Sequence, residues 1–145
     1  MTEQTDQIIK LLKSLYDTYL TVDPFFITEQ LGIEVRYEPF LENPLGQCVT
    51  IMGKTIILLS EKIEFNNQRY FVIAHELHHA LAHNNFGSYY TLNNQARNNI
   101  EYEANTFAAA VCLNLYIEEY GFDPMTKQDL ENHYGLPMEL SEILL

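Results

Sequence analysis

His75, Glu76 and His79 stand in the order HExxH inside the run RYFVIAHELHHALAHN at positions 69–84. Residues four apart on an α-helix share a face, about 6 Å apart along the axis, so both imidazoles can reach one ion. Imidazole nitrogen binds zinc at roughly 2.0–2.1 Å. Glu76 lies about 100° round the helix from His75, close enough to reach a metal-bound water without being a ligand. A carboxylate so placed is a general base, and the chemistry is hydrolysis. Ile73, Leu77, Ala80 and Leu81, at i, i+4, i+7 and i+8, form an opposite stripe that would pack into a core. The plain alternative is a core helix that happens to carry histidines. That the motif falls on helical spacing favours the metal.

A catalytic zinc keeps three protein ligands and one open position. The extended pattern HExxHxxGxxH fails here, because Ala82 and Asn85 occupy the Gly and third-His positions. His83 shares the metal face one turn beyond His79, but the helix carries it past a shared ion. It reads as a polar wall or substrate contact. A second helical pattern covers 97–115, with Glu101, Asn105, Ala108 and Cys112 on one face. Glu103 points the other way, beside Thr106, Ala110 and Asn114. If the third ligand comes from this helix, Glu101 is selected over Glu103, although both could simply be solvated. Asn105, one turn on from Glu101, could orient a ligand through a hydrogen bond.

These side chains need elements to hold them. A helix is expected over 3–20, from the stripe Ile8, Leu11, Leu12, Leu15, Tyr16 and Tyr19. Asp23 and Pro24 read as the N-cap and first residue of a short helix that Gly32 closes. Positions 33–37 alternate as a strand, 38–46 form a loop, and 48–52 with 55–59 flank Gly53-Lys54 as a hairpin. The expected architecture is α+β: a short, mostly antiparallel sheet of about three strands packed on the HExxH helix and the Glu-bearing helix. A strand bordering such a cleft can bind an extended substrate by sheet addition. Positions 84–99, rich in Asn, read as a loop directly after the site. In it Tyr89 or Tyr90 is either an oxyanion donor or, the favoured reading, an aromatic anchor. Thr126 is the expected N-cap of a late helix, broken at Gly135-Leu136-Pro137, with a last helical turn running to Leu145.

Eight basic and twenty acidic residues leave a net charge of −12, nine of the carboxylates lying after position 100. Such a chain is repelled by phosphate backbones, so direct nucleic-acid binding is not expected. A basic protein partner would be drawn to it, although solubility alone explains the charge more simply. The polar start, MTEQTDQIIKLLKSL, has no secretory character, and no apolar run is long enough to span a membrane. The expected location is cytoplasmic, where Cys48 and Cys112 would stay reduced.

HELHHALAH followed by EYEANTFAAAVCLN resembles the ImmA/IrrE-type metallopeptidases of bacteria, prophages and mobile elements, where HExxH precedes an E-x-x-A-[ND]-x-F-A helix. VDPFFITEQLGIEV resembles that family's short helix and first strand, so the likeness spans about 22–114. Two departures are Asn114, where the family usually has Pro, and His78, where Gly is common. The resemblance implies a small zincin-like domain with zinc on His75, His79 and Glu101, Glu76 as general base, and Asn105 supporting a ligand. It also implies cleavage of a helix-turn-helix repressor, relieving repression. The rival reading is a catalytically silent regulator that binds a repressor or other partner without cutting it. The expected organisation is one domain over 1–145, with a core at 22–115, the N-terminal helix, and a helical tail at 116–145. The oxyanion donor (His83, Tyr89 or Tyr90), the substrate's identity and the oligomeric state stay open.

Overall fold

The computed structural model describes residues 3–39, 44–82, 94–124 and 126–137. In chain order these form α1 (Glu3–Tyr19), α2 (Pro24–Gln30), β1 (Glu34–Glu38), β2 (Gly46–Ile51), β3 (Lys54–Ser60), a 3₁₀ turn (Glu61–Ile63), α3 (Gln68–Ala82), α4 (Asn94–Tyr120) and α5 (Lys127–Tyr134). The expected last turn of helix at 138–145 lies outside the described residues. No helix among them is long and apolar enough to cross a membrane.

Local chemistry sets most of these boundaries. The Asp23 carboxylate accepts the Phe25 N–H and Pro24 opens α2. Thr126 and Asp129 cap α5 reciprocally, each side chain accepting the other's backbone N–H. The α4 helix is longer than the expected 97–115. Leu115 and Tyr116 continue its buried face, and the chain turns only at Gly121.

The sheet is mixed rather than mostly antiparallel. Its order is β1-β3-β2, with β2 antiparallel to β3 and β1 parallel to it. Glu38 pairs with Ser60 and Gly46 with Leu59, so the chain leaves β1 and enters β2 at the same end of β3. β3 lies in the middle of the sheet. The hairpin turn is Met52-Gly53, both at positive φ, one residue earlier than Gly53-Lys54. That pair of conformations is a type I′ turn, whose twist suits a tight hairpin.

α3 is the central element: the sheet, α2, α4 and α5 all pack against it. Ile73 and Leu77 are fully buried as expected, with Ala80 and Leu81 partly so. The helix is buried more evenly than one apolar stripe would require, since Ala74, Glu76, His78 and His79 are also inside. In α1, Ile8 and Leu15 enter the core, but Tyr16 stays half exposed.

Gly135 ends α5 at φ +71, and a Cβ there would lie 2.2 Å from the Gln68 Cα and 2.6 Å from the Asn67 carbonyl oxygen. The start of α3 is thus seated on a bare backbone. Gly135→Ala is expected to cost about 2–5 kcal/mol, roughly 1–2 from the left-handed conformation and 1–3 from overpacking. Urea unfolding of the variant against wild type checks this.

Candidate metal centre

α3 presents His75 and His79 to one side, and α4 brings Glu101 across to meet them. The two Nε2 atoms are 3.2 Å apart. The Glu101 carboxylate spans both, with Oε2 2.9 Å from His75 Nε2 and Oε1 3.1 Å from His79 Nε2. His75 Nδ1 lies 2.7 Å from Asn105 Oδ1. An N–H at Nδ1 donates to that carbonyl, which fixes the tautomer and leaves the Nε2 lone pair facing the cluster.

These donors fit a metal ion. Two imidazole lone pairs and two carboxylate oxygens converge on one small volume, and a single proton can relieve only one of the close approaches. A divalent cation satisfies all of them. The edge of a tetrahedron built on metal–nitrogen bonds of 2.0–2.1 Å is about 3.3 Å, close to the spacings found. Among the described residues, His75, His79 and Glu101 are the group of His, Cys, Asp and Glu side chains that could hold an ion. Two imidazoles and one carboxylate suit a site that keeps a position open for water or substrate. The Glu101 side chain is 40% exposed while that of His79 is 5% exposed, so solvent reaches the cluster past Glu101.

Glu76 lies beside the cluster as a neighbour, its Oε2 3.9 Å from His75 Nε2. Burial pushes its carboxyl up, against the opposing pull of His75, His79 and the Cys48 backbone amide. A carboxylate held this way is a better proton acceptor than one in water. Burial also raises the Glu101 carboxyl, but when the imidazoles carry protons on Nε2 their hydrogen bonds outweigh it and hold it well below the usual carboxylate range. His75 is the converse: burial lowers it, and the Glu101 hydrogen bond and the charge of Glu76 bring it above its ordinary value.

Glu103, two residues along α4, is not in the cluster, as the turn of the helix requires. His83, Tyr89 and Tyr90 lie outside the described residues. Cys48 and Cys112 are both buried free thiols. Burial, then the charge of Glu76, pushes the Cys48 thiol up to about 12. His78, in sequence only a departure from a common Gly, is buried against Phe107 of α4 with ring centroids 5.1 Å apart. Its HExxH neighbours give no hint of that, because the contact depends on which face α4 covers.

Asn105→Ala removes the partner of His75 Nδ1 and frees the ring to turn. Metal affinity is expected to fall about 10–100-fold with the fold intact, measured by competition against a chromophoric chelator.

No curated protein and no solved structure matches the chain. A family model does match, that of the M78 peptidases, described as the IrrE N-terminal-like domain, over residues 28–142. That span takes in α3, α4 and every residue of the cluster, so the chain belongs to the IrrE N-terminal-like family of metallopeptidase domains.

Proposed function

We propose that the protein is a zinc endopeptidase that cuts a helix-turn-helix transcriptional repressor and so relieves repression. The observation that carries this reading is the convergence of His75, His79 and Glu101 with Glu76 alongside, a ligand set with its own base. Bound zinc supplies Lewis acidity, polarising a carbonyl and lowering the pKa of a water towards about 7. Glu76 is placed to take a proton from an attacking water and to return it to the departing amine. Asn105 holds His75 in the tautomer that keeps Nε2 available.

The open side of β2 suits an extended peptide. Ser60 N–H donates to the Leu45 carbonyl, and ladder bonds alternate along an antiparallel pair. The pairs 47/58 and 49/56 are therefore bonded within the sheet, while Gly46, Cys48 and Thr50 turn their backbone groups outward. At Cys48 that outward amide is taken by the Glu76 carboxylate, so a substrate strand could pair with this edge only from the exposed Thr50 on. The repressor assignment rests on the family resemblance and on charge. A DNA-binding partner carries a basic face, and this chain carries −12. Such a substrate places the enzyme in the cytoplasm.

The test is co-incubation of the zinc-loaded protein with a repressor encoded beside it, with mass spectrometry of the products. Discrete fragments from one flexible segment support the reading. A repressor bound but left whole under all conditions sinks it, in favour of a silent regulator.

A further inference from the structure

We infer that Gly46 is a positioning residue, its missing side chain letting β2 close onto α3 at the turn that carries Glu76. The inference rests on the peptidase reading and adds a residue to its machinery. A Cβ at position 46 would lie 2.5 Å from Val72 Cγ1, 3.1 Å from Glu76 Cγ and 3.4 Å from Glu76 Oε2. Val72 and Glu76 are one turn apart on α3 and form a ledge on which the start of β2 rests. Gly46 is not among the residues at positive φ. Its backbone would accept a side chain; only the occupied space forbids one. Glycine in a strand marks such a close approach of backbone to a neighbour.

The ledge cannot easily yield. Val72 is β-branched and on a helix is held close to one rotamer, so its methyl has little freedom to turn away. A Cβ at position 46 must then push β2 off the helix or push the Glu76 side chain towards the cluster. Two residues along, the Cys48 backbone amide hydrogen-bonds the Glu76 carboxylate. β2 is thus the wall that sets where the carboxylate sits. The three heavy atoms nearest that Cβ belong to Val72 and Glu76, and none of them to a candidate ligand. Metal binding and base placement should separate.

The experiment compares Gly46→Ala, Val72→Ala and the double variant in the zinc-loaded full chain, reading metal affinity, melting temperature, kcat and KM. Gly46→Ala should keep metal affinity within about threefold, lower Tm by about 3–10 °C and cut kcat about 10–100-fold with little change in KM. Val72→Ala alone should cut the substrate within a few-fold of wild type. In the double variant the clashing methyl is gone, and most of the loss in both Tm and kcat should return. The Tm cycle needs no substrate. Absence of coupling between positions 46 and 72 in that cycle overturns the close approach itself. Coupling in Tm with an unchanged kcat overturns the positioning role, and so does loss of metal together with activity. A wild-type protein that cuts nothing while the Tm coupling holds counts instead against the peptidase reading, and the assignment falls with it.

Discussion

Glu76→Gln is expected to keep one equivalent of metal per chain and to slow hydrolysis by about a hundred- to ten-thousand-fold, the usual worth of a positioned acid–base group. The amide has the shape of the carboxylate and still offers an oxygen towards the Cys48 amide. The ligand atoms of His75, His79 and Glu101 are left as they are. What is lost is the group that accepts a proton: an amide cannot take one from water near neutral pH. The side chain is buried, so its new NH₂ must find a partner, and a modest fall in stability should accompany the change. Metal analysis, a thermal melt and single-turnover cleavage on one preparation separate these effects. Cleavage at the wild-type rate by Glu76→Gln would remove Glu76 from the mechanism and point to a contaminating protease.

Different parts of this arrangement were legible in the sequence to different degrees, for reasons of range. His75 and His79 sit within one turn of one helix, so their spacing alone puts them on a common face. Glu101 and Asn105 are likewise one turn apart, and helical periodicity separates Glu101 from Glu103. Which faces of α3 and α4 meet is a tertiary matter, and burial of His78 against Phe107 belongs to it. The sheet shows the same limit. The β2–β3 hairpin was visible from its turn residues, whereas the parallel pairing of β1 with β3 joins strands separated by all of β2. Nothing local in β1 names its partner. Gly46 was hidden differently. It follows Pro44 at the end of a loop, where glycine is common, and its lack of a side chain matters only because Val72 and Glu76 lie behind it. A sequence shows that a glycine is present, and the contact that requires it appears only in the fold.

The ligand assignment makes the other large prediction. His75→Ala, His79→Ala and Glu101→Ala should each weaken metal binding by about 60- to 1,000-fold, and Glu103→Ala should leave it within about twofold. Four-ligand structural zinc sites bind with roughly 10–16 kcal/mol, so one ligand carries about 2.5–4 kcal/mol, and each 1.4 kcal/mol is tenfold in affinity. The three losses need not be equal. His75 is also held by Asn105, so His75→Ala leaves a half-buried amide without its partner as well as removing a donor. Glu101→Ala removes the one formal negative charge among the three donors and leaves two neutral imidazoles to face a dication. Glu101→Gln refines the test, since it keeps an oxygen of the same reach without the charge. Affinity for Glu101→Gln between wild type and Glu101→Ala would apportion the loss between charge and coordination. Titration of the metal-free proteins against a competing chelator gives the affinities of wild type and the five variants on one scale. If Glu103→Ala lost the metal and Glu101→Ala kept it, the face that α4 turns to α3 would be wrong, and the proposed centre with it.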